Sequence, residues 1–544
     1  MKSSAPFLTS ITAACLALTL QAATVSLPDY NPQGSYIDTI RFLRLALKEP
    51  RFWNRGNVHT VNVHPEAPRA RLHYKVWMQK QPAPLVIILP GLGGNYANLA
   101  PSVLAETVFR QNMSALLISS SFNWEFVLNA SSSGVPGFTP FDAQDVYRAL
   151  QIIINDVTNR YRRAQPTQLM LLGFSLGALN ALYIADLDQR EQRLGLSRIL
   201  AINPPVNLVY ALQQLDQFYS IWTNWSNAEL EQRKNKAVAI YNATFDKYAP
   251  KGSNSYELPI DDDEAKFAIG YTFRRALSET IKSIHSRTNF GILSTPFRST
   301  KTRFLDKEIE RYGYYDYVMT FVRHAYPTQW NDLRDLNNHA SLWAIQPALA
   351  SDPRVLVLHT RNDFLLSDFD RDWLATVLGG RILFFQEGGH LGHLYRQEVQ
   401  DVIANWLSGE PVPALAQGTF TPASFPRAEP AAPLSVRAEP VTAAAPVRAE
   451  ALMPASPAPA LPPAAADGII PISDIIRMDS VPAPAATTPP PVTSAAPAKP
   501  AAPAKPAAPA TAPPSSNVQV YEEQADKVIG GPRDDMVIEY YEEE

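Results

Sequence analysis

The apolar positions of this chain follow two periods that alternate from about residue 70 to about residue 410. Leu72, Tyr74, Val76 and Met78 recur at every second position, which predicts an early strand. Short apolar runs follow at Pro84–Leu89, Ala115–Ile118, Gln168–Leu172, Arg198–Ile202, Val355–Leu358 and Arg381–Phe385. Each is too brief for a helix and reads as a buried strand. Helical spacing separates them near 97–111, over 141–162 and from Ala178 to Ala185, and a last helix closes at Trp406-Leu407-Ser408-Gly409. Residues 35–56 read as an amphipathic helix, from Ile37, Ile40, Leu43, Leu45 and Leu47. Strands alternating with helices imply an α/β domain over 24–410, with a mostly parallel sheet covered on both faces.

The pattern changes in three places. Between 206 and 347 no strand is predicted, and Leu208, Leu212, Leu215, Tyr219 and Trp222 recur at helical spacing, so a helical insertion is expected there. From 411 to 516 proline and alanine dominate, a composition that cannot bury a core and predicts a disordered linker. Residues 517–544 end the chain with acidic and aromatic clusters, Val518–Glu523 and Val537–Glu542. These read either as a motif that docks on a protein partner by strand addition or as a solubilising tail. At the other end, Lys2 followed by the apolar stretch Phe7–Leu20 and the small residues Ala22 and Ala23 reads as a signal peptide over 1–23. The stretch is too short to span a membrane, so no transmembrane segment is expected in the mature chain. Cleavage predicts a periplasmic or secreted protein; lipidation at Cys15 is the rival reading.

Composition narrows the classes. A net charge of −4 over 544 residues gives no basic footprint for nucleic acid. A single cysteine excludes a disulfide within the chain and a cysteine-based zinc site. Asp261-Asp262-Asp263-Glu264 lacks the spaced ligands and turn glycine of a calcium loop and reads as a solvated helix start.

The candidate chemistry sits at strand ends. Gly173-Phe174-Ser175-Leu176-Gly177 follows one apolar run and precedes a helical one, which is the arrangement of a nucleophile elbow. The run at 355–358 leads into His359-Thr360-Arg361-Asn362-Asp363, and that at 381–385 into Gly388-Gly389-His390. Serine, acid and histidine in that order, each just past a strand, suit a Ser175–His390–Asp363 triad. Asp352 lies before its strand, and Asp368, Asp370 and Asp372 lie farther on. His393 competes with His390 and reads as a surface or supporting group, and His359 stands too early relative to Asp363. An oxyanion would be met by two backbone N–H groups, from Leu176 and from Leu92 in the loop Pro90-Gly91-Leu92-Gly93-Gly94. That loop lacks the lysine of a phosphate loop, and Tyr96 stands where a dinucleotide fingerprint needs its third glycine. Ser119, Ser120, Ser121, Phe122, Asn123 and Trp124 should rim the site.

These residues resemble an α/β-hydrolase-fold serine hydrolase. The segments 89–94, 173–178 and 388–392 are also similar to a branch of esterases and lipases with a His-Pro-Gly-Leu oxyanion segment and a Gly-x-Ser-Leu-Gly-Gly elbow. Leu89 replaces that histidine and Ala178 the last glycine, which weakens transfer of a substrate preference. The resemblance implies an esterase- or lipase-like hydrolase acting on a small acyl ester or lipid-like substrate without cofactor or metal, with 206–347 as its helical cap. Phe218, Tyr219, Trp222, Trp225 and Tyr271 would either line an acyl site or form the cap's own core. An acyltransferase or peptidase on the same triad remains open, as does a non-catalytic binding protein on this scaffold.

Overall fold

In the computed structural model, residues 22–233, 235–236, 257–297 and 302–412 are described. The expected leader up to residue 21 and the expectations for 413–544 lie outside them. Nine strands form one sheet: β1 Ala23–Val25, β2 Asn57–Val61, β3 Leu72–Trp77, β4 Ala83–Leu89, β5 Ser114–Ile118, β6 Pro166–Phe174, β7 Leu196–Ile202, β8 Val355–Thr360 and β9 Ile382–Phe385. Their order is β1-β9-β8-β7-β6-β4-β5-β3-β2. All neighbours are parallel except β3 with β5 and β2 with β3. The parallel strands are near-continuous apolar runs because both sheet faces are covered.

Side chains divide between the faces with a period of two. Leu85, Ile87, Leu89, Leu169 and Leu171 enter one core, with the helices at Thr139–Arg160 and Leu176–Glu191. Val86, Ile88, Met170 and Leu172 enter the other, with those at Leu99–Phe109 and Gln397–Ser408. In chain order the helices used below are α1 Ser35–Ile40, α2 Leu99–Phe109, α3 Thr139–Arg160, α4 Leu176–Glu191, α5 Leu208–Ser220, α6 Asp262–Arg287, α7 Asp368–Leu378 and α8 Gln397–Ser408. This is an α/β-hydrolase fold, and α5 and α6 belong to the insertion between β7 and β8.

One expectation needs correction. The single helix over 35–56 is broken: α1 passes into a 3₁₀ turn at Arg41–Arg44, and only Phe52–Arg55 is helical again. Pro50 disfavours helix at the residue before it. The freed N–H groups of Lys48 and Glu49 bind the Glu106 carboxylate instead, each at 2.7 Å. At the sheet edge Ala23 of β1 pairs with Leu383 of β9.

The insertion packs against the Pro90–Gly94 loop, where a Cβ on Gly93 would lie 2.8 Å from that of Ala276. Asp261 caps α6 in a reciprocal capping box with Glu264, which accounts for the acidic run as a helix start. Farther along α6, the Thr280 hydroxyl donates to the Phe122 carbonyl at 3.2 Å, and Arg287 donates to the carbonyls of Val127 and Ser131.

Candidate active site

Ser175 stands between β6 and α4 with φ 55° and ψ −125°. A non-glycine residue in that region costs on the order of 1–3 kcal/mol and persists only when its surroundings impose it. The two glycines show how they do. A Cβ on Gly173 would lie 2.2 Å from the Gly177 carbonyl oxygen, and one on Gly177 would lie 2.1 Å from that of Leu89. The turn is therefore wedged between its own strand, its own helix and β4, and the serine projects from the sheet's carboxyl edge.

His390 Nε2 lies 2.8 Å from Ser175 Oγ, and His390 Nδ1 lies 2.8 Å from Asp363 Oδ2. A carboxylate only accepts hydrogen bonds, so Nδ1 carries the proton and Nε2 turns its lone pair to the serine hydroxyl. Asp363 also accepts from Asn203 Nδ2 at 2.8 Å and from the Leu365 N–H at 2.9 Å. Burial opposes the Asp363 charge, but the adjacent His390 ring, its hydrogen bond, His359 and the Leu365 N–H outweigh it and hold the carboxyl below its usual value. Ser175, His390 and Asp363 keep only 6%, 3% and 2% of their surface exposed, so these interactions act in a water-poor setting.

The competing residues fall elsewhere. His359 is buried in β8, 3.8 Å from Asp363, and Nε2 bonds the Pro204 carbonyl at 3.2 Å. Burial, the larger influence, keeps its ring below the usual pKa against the pull of Asp363. His393 is not at the surface: it is fully buried against Phe385, with neither ring nitrogen hydrogen-bonded, and burial pushes its pKa down to about 3. Its backbone follows a tight loop that turns the side chain inward, where Gly388 leaves room for it. Neither ring hydrogen-bonds Asp363, whose carboxylate takes His390, Asn203 and the Leu365 N–H. Asp352 pairs with Arg354, Asp368 with Arg371, and Asp370 caps the start of α7.

Leu176 follows the serine directly in the chain, and Leu92 follows Gly91, which packs on it. Leu176 opens α4, so its N–H is among the first-turn donors that have no intrahelical carbonyl. In the loop of Leu92, a Cβ on Gly91 would come 3.1 Å from that of Ser175. The 119–124 segment, expected as a rim, is largely buried and braces this loop instead. The Ser120 N–H donates to the Gly94 carbonyl at 2.9 Å and Asn123 Nδ2 to that of Gly93 at 2.8 Å. Of the cap aromatics, Phe218 packs on Phe364 and Tyr36, with ring centroids 4.9 and 5.2 Å away, and the Phe364 ring in turn lies 5.8 Å from that of His390. Tyr271 and Trp225 instead pack on Phe267 within the cap.

Three polar residues at the site were not anticipated: Thr39, Asn203 and Asn362. Asn203 follows the last residue of β7, and a polar residue just past a parallel strand was the available signal. Asn362 Oδ1 accepts from the Gly389 N–H at 2.9 Å. Thr39, far away in sequence, gave none.

A mostly parallel sheet with serine, acid and histidine at the ends of β6, β8 and β9 defines the class as an α/β-hydrolase-fold protein. No protein-family profile and no curated protein matches the chain. Among solved structures it is similar to an esterase of Pyrococcus furiosus, at 9% identity and TM-score 0.35 over 67% of this chain and 95% of that one. It is similar also to an acetylester hydrolase of Corynebacterium glutamicum, at 13% identity and TM-score 0.33 over 66% and 98%. A haloalkane dehalogenase of Bradyrhizobium elkani gives 13% identity and TM-score 0.32 over 65% and 98%. Scores this low carry no weight for the chemistry, which rests on the geometry above.

Proposed function

We propose that this chain is a serine hydrolase that cleaves carboxylic esters through an acyl-enzyme. His390 takes the Ser175 proton as Oγ attacks the ester carbonyl, and the resulting oxyanion is met by the N–H groups of Leu92 and Leu176. Collapse expels the alcohol, which leaves with the proton from His390. Water, deprotonated by the same ring, then releases the acid and restores the serine. Asp363 orients the imidazole and stabilises its charged form. The observation that carries this reading is the unbroken relay, 2.8 Å at each step, ending on a serine held at φ 55°.

A fluorophosphonate probe tests it. Wild type should label and Ser175→Ala should not, with the melting temperature of the variant near that of wild type. Equal labelling of both proteins refutes the assignment, and no labelling of either favours a non-catalytic binding protein. A panel of p-nitrophenyl esters of graded acyl length, run beside aminoacyl anilides, separates esterase from peptidase, and added alcohol acceptors reveal acyl transfer. We further propose a periplasmic or secreted location, which fractionation of expressing cells would check, and a protein partner for 517–544, which dies if deleting 411–544 leaves co-purifying proteins unchanged.

A further inference from the structure

The loop carrying His390 has little hold on its own shape. Gly388 and Gly389 precede the histidine at φ 131° and 55°, where glycine is free to move, and Leu391 follows it at φ 69°, a sparsely populated region for a residue with a side chain. Something outside must fix it. Two supports come from the end of β8: Asn362 Oδ1 accepts the Gly389 N–H, and the Thr360 hydroxyl donates to the Gly389 carbonyl. Both grip Gly389. The N–H of His390 itself goes elsewhere, to Thr39 Oγ1 of α1, at 2.8 Å.

The Thr39 hydroxyl is oriented for this. It donates to the Ser35 carbonyl at 2.7 Å, so its lone pairs face the histidine N–H. The helix and the loop touch backbone to backbone. A Cβ on Gly389 would lie 2.1 Å from the Ser35 carbonyl oxygen, and one on Gly392 would lie 1.7 Å from that of Asp38. Upstream, the same segment supplies β1, whose Val25 carbonyl accepts the Gln386 N–H at 2.8 Å where β9 enters the loop.

We infer that Thr39 is a positioning residue for His390, and that the amino-terminal segment is a strap that sets the imidazole against Ser175. The inference rests on the hydrolase reading for its kinetic consequence, because a general base must sit within hydrogen-bond reach and aligned. Thr39→Val keeps the shape and removes the acceptor; Thr39→Ser keeps the acceptor.

The expected result is a kcat about tenfold lower for Thr39→Val on a p-nitrophenyl ester with KM within about twofold, and recovery to within about threefold of wild type for Thr39→Ser. A structural role alone would lower stability without this split or this rescue. Hydrogen exchange of the 386–394 peptide gives an activity-free readout, with faster exchange in Thr39→Val and wild-type exchange in Thr39→Ser. Wild-type kcat in Thr39→Val, or equal defects in both variants, overturns the inference while leaving Ser175 labelling intact. If wild type fails to label, the hydrolase reading falls, and the exchange data alone decide whether Thr39 holds the loop. If Thr39→Val does not fold, Thr39→Ala takes its place in the same comparison.

Discussion

Replacing Asp363 by asparagine tests how the site is wired. The carboxylate accepts three N–H groups: Oδ2 takes those of His390 and Asn203, each at 2.8 Å, and Oδ1 takes that of Leu365 at 2.9 Å. An amide has one accepting oxygen and a donating NH2. With its oxygen toward His390, the NH2 meets the Leu365 N–H. With the amide flipped, it meets both side chains, and His390 must adopt the other tautomer, with a proton on Nε2 facing Ser175. Either way a buried donor loses its partner, a cost of about 1–3 kcal/mol in stability. In the flipped form the ring cannot accept the serine proton, and kcat should fall by roughly 10⁴. Urea unfolding at neutral pH measures the first effect, and ester turnover after titration of competent sites the second. A pH series adds a sign check. The folded Asp363 carboxyl lies below its usual value, so its contribution is complete above the ordinary carboxylate range and is lost as pH falls through the lower folded value. The stability gap between wild type and Asp363→Asn should therefore narrow in acid. A variant that retains kcat within about tenfold would refute the tautomer argument.

Two further outcomes follow from the packing. Gly177→Ala should lower stability by about 1–3 kcal/mol or prevent folding, because the added methyl would sit 2.1 Å from the Leu89 carbonyl oxygen; a melting temperature equal to wild type would show that the elbow has slack. His393→Leu should flatten the acid limb of stability. The wild-type ring titrates at about 3 when folded against 6.5 ordinarily, so protonation of the unfolded chain costs stability progressively as pH falls from 6.5 toward 3, by up to about 1.4 kcal/mol per pH unit. Parallel stability curves for the two proteins would contradict a neutral, buried His393.

The parallel strands were legible because both their faces are buried, which writes them as uninterrupted apolar runs such as Val86-Ile87-Ile88-Leu89. Ser175, Asp363 and His390 were legible because each closes such a run, and strand ends of a parallel sheet converge at one edge. What failed to show were contacts that no local pattern encodes. β1 is three residues long and owes its place to pairing with β9, so no local pattern reveals it. The break after Arg44 is fixed by a carboxylate 57 residues downstream of Glu49, at Glu106. His393 looks polar in sequence, yet a loop with three positive-φ residues swings it into the core.

Those failures share a cause that bears on the site itself. A sheet edge brings three side chains near one another, but only to within the freedom of the loops that carry them. The serine needs little help, because its turn is locked by the carbonyls around Gly173 and Gly177. The histidine depends on partners drawn from two separate stretches: the amino-terminal segment, with β1 along β9 and Thr39 in α1, and the end of β8, with Thr360 and Asn362. The acid likewise takes Asn203 from the end of β7. Hydrogen bonds of 2.8 Å on both sides of one imidazole demand an alignment that the flanking glycines cannot supply. The residues that would do chemistry thus follow from periodicity and chain order, whereas the residues that aim them follow only from the folded neighbourhood.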